Sequence, residues 1–354
     1  MNIFFVFLTS LLISYALTIP TIYFAKKFHL VTDRRKRTHP AHTHKGIVPR
    51  GGGIPIFLSI LISSFLFLPM TKILIGILIS SFLLVVLGVL DDYYDLSPYV
   101  RFLANIALSV LVISFGLGIP YVSNPFGGVI RLDQVALTIH FFGKHTVLIL
   151  ADLLAILWLS WTTNMVNWSK GVDGQLPGFV SITALFLGLL SQRFTGHDIS
   201  VQAVVIFSFL ISGAYLGFLP FNFYPQKIMP GYSGGALAGF LLGILSILSF
   251  GKLGTFVLIR SVPMIDAFYT IIRRLKNRKS PFRADWGHLH HKLIDIGWGK
   301  RRIAVFYWTV SLILGICSLF LKGLEKGITF VTIGIILFVF IIIIDRVKQE
   351  RLAV

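Results

Sequence analysis

Two adjacent carboxylates, Asp91 and Asp92, close the apolar run Ile75 to Leu90 and open the turn Tyr93-Tyr94-Asp95-Leu96-Ser97-Pro98. Side by side at the mouth of an apolar helix, they repel one another and oppose the partial negative charge of the helix C-terminus. Such a pair is costly to hold unless a cation or a proton transfer uses it. Mg2+ suits it, because this ion takes one or two carboxylates and completes its sphere with phosphate oxygens and water. A solvated helix-end turn is the bland alternative, and the helix dipole disfavours it.

Other polar clusters fit the same chemistry. The first loop carries His39, His42, His44, Lys45 and Pro49-Arg50-Gly51-Gly52-Gly53. Its glycines read either as a plain loop or as successive backbone amides that bind an anion, with Arg50 and Lys45 adding charge. Asn164 and Asn167 share a helix face at i, i+3, and Lys170 and Asp173-Gly174 follow closely. A cap and a turn would account for one Asn and one Gly of this group, but not for all of it. The triplet Pro220-Phe221-Asn222 ends another apolar run. His288, His290 and His291 follow the cationic stretch Arg273, Arg274, Lys276, Arg278, Lys279 and Arg283, a setting in which imidazoles can bind a diphosphate or a sugar. Zinc does not fit their spacing, and no cysteine is near. Asp266, an acid inside an apolar segment, either pairs with Arg260 or a backbone group, or orders the site.

All of these clusters hang from apolar segments. Of 354 residues, 55% are hydrophobic and 13% charged, with a mean hydropathy of +0.84, which exceeds what a soluble core needs. A bilayer crossing takes about 20 apolar residues. The sequence predicts an all-α polytopic membrane protein with eleven spans, near 2–24, 53–70, 73–90, 101–120, 147–164, 178–192, 201–219, 233–250, 254–272, 303–321 and 327–345. With the N-terminus outside and the C-terminus inside, 24 of the 32 Lys and Arg fall on the inner face, 7 on the outer, and Arg260 within a span. Cations collect on the cytoplasmic side, so this orientation is expected. The first segment lacks a basic n-region and a small-residue cleavage site, and reads as a helix rather than a secretory leader. On this topology the polar clusters converge on the inner face, which describes an active site at the cytoplasmic membrane surface.

Most of the net charge of +18 follows from that distribution and from attraction to anionic lipid, and some inner cations are free to meet a phosphorylated substrate. Nucleic acid is excluded as a partner, since the basic loops are short and no separate aromatic-basic module exists. The single cysteine, Cys317, excludes a disulfide framework or zinc cluster. The longest stretches outside the apolar segments, about 25–52, 121–146 and 273–302, are too small to fold alone. Residues 1–354 therefore form a single membrane-embedded domain. Within the second stretch, Asn124-Pro125-Phe126-Gly127-Gly128 followed by Val129-Ile130-Arg131-Leu132 predicts a small outer β-hairpin. There is no repeat of fixed period, and no inverted pair of broken helices of the kind that marks a transporter.

The order Pro49-Arg50-Gly51-Gly52-Gly53, Asp91-Asp92 with Leu96-Ser97-Pro98 and Arg101-Phe102, Asn164 and Asn167 with Asp173-Gly174, Phe218-Leu219-Pro220-Phe221-Asn222, Pro263 with Asp266, and His288-Leu289-His290-His291 resembles the polyprenyl-phosphate N-acetylhexosamine-1-phosphate transferases. The likeness covers essentially the whole chain. The spacing of the histidines and the eleven spans look more like the N-acetylglucosamine-1-phosphate branch than the phospho-N-acetylmuramoyl-pentapeptide branch. The resemblance implies a glycosyltransferase that moves a sugar 1-phosphate from a UDP-sugar such as UDP-GlcNAc to undecaprenyl phosphate, releasing UMP, in bacterial cell-wall polysaccharide synthesis. It implies that Asp91, Asp92 and Asp173 are catalytic and hold Mg2+ or Mn2+. The same resemblance gives Lys45, Arg50, Asn164, Asn167, Lys170, Asn222, His288, His290 and His291 to substrate. The chain departs from the family pattern twice: Lys170 stands where an acid is usual, and Gly231 stands where an acid is usual after the Pro-Phe-Asn motif. A relative that binds lipid or nucleotide without turnover is one alternative, and a lipid transporter is another. A homodimer is among the assemblies the sequence allows.

Overall fold

The computed structural model describes residues 2–33, 46–124, 128–140, 144–193, 199–249, 253–280 and 286–353. Among these the chain forms helices α1 (Ile3–Lys27), α2 (Gly53–Phe67), α3 (Lys72–Tyr94), α4 (Pro98–Ser114), α5 (Ile149–Trp168), α6 (Gln175–Gln192), α7 (Ile199–Asn222) and α8 (Gly231–Leu248). Then come α9 (Leu253–Ile259), α10 (Ser261–Lys276), α11 (Leu289–Asp295), α12 (Lys300–Phe320) and α13 (Gly323–Ala353). Each of the eleven apolar segments falls on one of these helices or on the pair α9 and α10, which bends by 81° at Arg260. Among the described residues, eight helices are long and apolar enough to cross a bilayer, or nine counting the bent pair. The apolar helices α2 and α4 are shorter, at 15 and 17 residues. The protein is an all-α polytopic membrane protein.

Small residues set the packing. In a bilayer lipid is as apolar as leucine, so helices associate where their backbones can approach closely. Gly213 and Gly217 lie one turn apart on α7, and a Cβ there would sit 2.3 Å from the Phe7 carbonyl oxygen and 2.2 Å from that of Leu11. They bring α7 against α1. The hub is α8, buried along nearly its whole length. Gly239 lets it touch the α5 backbone at Thr162, while Gly53 of α2 and Gly88 of α3 both close on Ser233. The outermost helices, α1 and α13, turn apolar faces outward, with Phe4, Leu12, Ile335 and Ile336 exposed, as suits a lipid-facing surface.

Three antiparallel ladders occur among the described residues: β1 (Val31–Asp33) with β2 (Ile47–Pro49), β3 (Tyr121–Ser123) with β4 (Val129–Arg131), and β5 (Ala136–His140) with β6 (Lys144–Leu148). The expected hairpin is the β3–β4 pair, in which Val122 faces Ile130. The other two ladders and the short α11 are not among the expected elements; β6 runs into the start of the span expected at 147–164. The first ladder positions a cation, because it leads the chain into Arg50: the Arg50 amide donates to Leu30 O at 2.9 Å. Of the residues singled out in the sequence, His39, His42, His44, Lys45, Pro125, Phe126, Gly127 and Arg283 lie outside the described residues.

Candidate active site

Asp91 and Asp92 occupy the last turn of α3, which stops because Asp95 takes a left-handed conformation (φ 56°). Ser97 then caps α4, its hydroxyl accepting from the Val100 amide at 3.3 Å, with Pro98 in the first turn, an arrangement that suits a helix start. This tight corner places Arg101 one turn into α4, from where its Nη1 donates to both oxygens of Asp91 at 3.2 Å.

Asp92 is held from another direction. It sits at the N-terminus of α8, where the Tyr232 amide donates to Oδ1 at 2.9 Å and the Ser233 hydroxyl to Oδ2 at 3.1 Å. Unpaired amides and a positive dipole end make that position favourable for an anion. Arg50 Nη1 stands 3.8 Å from Oδ1, while Arg50 Nε donates to the Thr32 hydroxyl. The compensation that two carboxylates at a helix C-terminus require is thus built in.

Gly231 begins α8 with φ +66°, and a Cβ there would fall 2.0 Å from Asp92 Oδ2. No side chain, acidic or otherwise, fits at 231 without moving Asp92. The Gly51-Gly52-Gly53 run also has a packing explanation. The Gly52 amide donates to Met229 O at 3.2 Å and the Gly53 amide to Ser233 Oγ at 3.3 Å. Both amides are spent inside the protein, so the plain structural account of this motif covers them.

The loop between α5 and α6 reaches the same place. Lys170 Nζ donates to Asn167 Oδ1 at 2.7 Å and to the Gly231 carbonyl at 2.8 Å. Its side chain is part-exposed, yet its ammonium is hemmed in by these groups and the Tyr232 ring 5.6 Å away. Withdrawal from water pushes the ammonium down to about 8, against the opposing pull of Asp92 and Asp91. Next to it, a Cβ on Gly171 would fall 1.8 Å from His290 Nε2. Asp173 is buried and pairs with Lys300 at 3.1 Å, and the Gln226 amide approaches its other oxygen at 3.4 Å. Asn222 accepts from the Gly174 amide at 3.0 Å and donates to Ile228 O at 2.9 Å. Asn164 turns back on its own helix, donating to Ser160 O at 2.8 Å.

Asp266 orders the histidine segment. Its Oδ2 is 2.9 Å from His288 Nδ1, and its Oδ1 accepts from the Leu289 amide at 2.8 Å. The alternative pairing with Arg260 does not form, because Arg260 lies at the bend and stacks its guanidinium 3.5 Å over Phe179. His288 and His290 stack at 5.6 Å with rings 7° apart. Burial, with the neighbouring imidazoles, pushes His290 well below the usual histidine range, so it is neutral at pH 7.

Asp91, Asp92, Arg50, Asn167 and Lys170 therefore converge, and Gly171 joins them to His290. Asn222 ties the loop from outside this group, and Asn164 is not drawn in. Among the described residues, no three His, Cys, Asp or Glu side chains gather closely enough to hold a metal ion by themselves, so Asp173 stands apart from the carboxylate pair. The pair itself offers hard oxygen donors of the kind Mg2+ shares with phosphate oxygens. Sequence reasoning did not single out Arg101, Tyr232, Ser233, Gly171 or Lys300 as site residues. For Arg101 a signal existed in the Ser-Pro helix start three residues before it.

The structure thus defines a bundle of apolar helices that gathers carboxylates, amides and cations at one polar cluster. The model of glycosyl transferase family 4 matches residues 74–250, and the chain belongs to that family. It is 29% identical over 312 residues to a protein of Bacillus subtilis (strain 168) named a probable undecaprenyl-phosphate N-acetylglucosaminyl 1-phosphate transferase, covering 85% of this chain and 79% of that one. The decaprenyl-phosphate N-acetylglucosaminephosphotransferase of Mycobacterium tuberculosis (strain ATCC 25618 / H37Rv) is 29% identical over 344 residues, with 88% and 81% covered. The phospho-N-acetylmuramoyl-pentapeptide-transferase of Bacillus subtilis (strain 168) is 25% identical over 333 residues, with 90% and 98% covered.

Proposed function

We propose that the protein transfers N-acetylhexosamine 1-phosphate, with GlcNAc 1-phosphate the first choice, from a UDP-sugar to undecaprenyl phosphate. In this reaction an oxygen of the lipid phosphate attacks the β-phosphorus of the UDP-sugar. The bond from that phosphorus to the bridging oxygen breaks, UMP leaves with the electron pair, and a polyprenyl diphosphate sugar remains. The reading places the site at the cytoplasmic face of a bacterial inner membrane in an eleven-span, N-out and C-in arrangement, where the product primes cell-envelope polysaccharide.

The observation that carries this reading is the convergence of Asp91, Asp92, Arg50, Arg101, Asn167 and Lys170 at one end of an apolar bundle. Phosphoryl transfer demands little covalent work of a protein; it needs reactants positioned and spreading charge neutralised. Arg50, Arg101 and Lys170 are the cations in place to meet the phosphates. Both carboxylates are engaged on both oxygens, Asp91 by Arg101 and Asp92 by α8; Asp91, whose partner Arg101 is part-exposed, is the one assigned to take a proton from the lipid phosphate. Neutral His290, with His288 and His291, faces the sugar diphosphate as a hydrogen-bonding surface. Asn167 aims Lys170, Asp173 engages the nucleotide side through Lys300, and Lys45 adds charge from the first loop.

Asp91 and Asp92 are the residues that would hold Mg2+ or Mn2+ together with substrate phosphates. Such an ion, when bound, supplies charge neutralisation as the phosphoryl group transfers. The test is incubation of purified protein with radiolabelled UDP-GlcNAc and undecaprenyl phosphate, followed by extraction into organic solvent. Label in a lipid diphosphate supports the reading; none with any UDP-HexNAc, with Mg2+ or Mn2+ present, overturns it.

A further inference from the structure

The carboxylate pair is already surrounded by positive charge. Arg101 grips Asp91 at 3.2 Å on both oxygens, Arg50 stands 3.8 Å from Asp92, and Lys170 binds the carbonyl of Gly231, the residue whose Cβ would strike Asp92. Among the described residues, two carboxylates thus face three fixed cations. A divalent ion entering this arrangement alone meets a local excess of positive charge, and the Asp92 oxygens are taken by Tyr232 and Ser233. The same excess attracts a diphosphate that enters first. Lys170 suits that ligand: an ammonium is a compact point charge that binds phosphate well. Two of its three N–H bonds are spent on Asn167 and Gly231, which leaves one for a ligand at a part-exposed position.

We propose that Lys170 is the resident cation of this site and receives the diphosphate of the sugar nucleotide, so that the nucleotide binds ahead of, and without, a divalent ion. This rests on the proposal that the protein uses a nucleotide sugar. Arg50 and Arg101 hold the carboxylates in place, and a divalent ion joins only once the diphosphate has reversed the local charge.

The test uses full-length protein in nanodiscs, washed with chelator, with UDP as ligand and calorimetry as readout. The wild type is expected to bind UDP in excess EDTA within about threefold of its affinity in Mg2+. Lys170→Ala is expected to lose about tenfold or more in EDTA, equivalent to about 1.4 kcal/mol, and Lys170→Arg to recover much of the loss. Protein alone should leave the spin-resonance signal of free Mn2+ unchanged, and protein with UDP should reduce it beyond what UDP alone does. UDP binding that requires Mg2+, tight Mn2+ binding without nucleotide, or unimpaired binding by folded Lys170→Ala would each overturn the inference while leaving the nucleotide reading intact. Failure of the wild type to bind UDP under either condition would overturn both.

Discussion

Tyr232 and Ser233 take both oxygens of Asp92, so this carboxylate anchors α3 to the start of α8 as well as lending charge. Asp92→Asn is expected to lower thermal stability, by about 2 kcal/mol, the order of a charge-assisted buried hydrogen bond, along with activity. Asp91→Asn should cost less stability, because its partner Arg101 is part-exposed and can turn to water, and should still abolish UMP release; unfolding free energies and turnover assays on the same preparations check the contrast. At Gly231 the cost is steric: Gly231→Asp, which restores an acid to that position, should lower turnover rather than raise it, because its Cβ meets Asp92. Lys170 gives the site a pH limit. With its ammonium at about 8 and an unfolded value near 10.4, it is charged in both states below pH 8 and the cost of withdrawing that charge is then fully present. As pH rises from about 8 towards 10.4 that cost is relieved, so its contribution to stability improves while its hold on phosphate disappears. UDP affinity should therefore fall above pH 8 in the wild type, and Lys170→Arg should carry affinity to higher pH.

The segment from α5 to α6 does the most to assemble the site. Asn167 and Lys170 point to α8, Gly171 admits the His290 ring, Asp173 meets Lys300 of α12, and Gly174 meets Asn222 of α7. Gly171→Ala should displace His290 and reduce turnover at least tenfold with little loss of helicity by circular dichroism. Retained activity would show that the histidine segment need not touch this loop. Much of this was legible in the sequence. The apolar runs are long enough to mark their helices, and Asp91, Asp92, Asn167 and Lys170 stand out as polar residues at the ends of such runs. What stayed hidden is non-local. Nothing near Asp92 announces that its partners lie about 140 positions away on α8, and Gly52 and Gly53 look the same whether their amides face an anion or Met229 and Ser233. For Asp266 the sequence left open a pair with Arg260, a bond to a backbone group, or a site-ordering role, and only the structure shows that it holds His288 and the Leu289 amide while Arg260 stays at the 81° bend. The seven residues of α11 are too few and too polar to show a helical period.

On the scale of the whole molecule, an apolar bundle with its polar residues drawn to one cluster matches an enzyme that takes one substrate from lipid and the other from water. A transporter needs polar access from both faces. The orientation with 24 cations inside predicts that a cysteine introduced at Lys348, in a Cys317→Ser background, reacts with an impermeant maleimide only from the cytoplasmic side. Labelling from outside in intact cells would invert the topology. The central claim is the transfer itself, and its most direct measurement is UMP release by purified protein given UDP-GlcNAc, with and without undecaprenyl phosphate. The account predicts UMP in stoichiometric step with lipid diphosphate sugar and none when the lipid is omitted. UMP released equally without lipid, or no UMP under any condition, would contradict it.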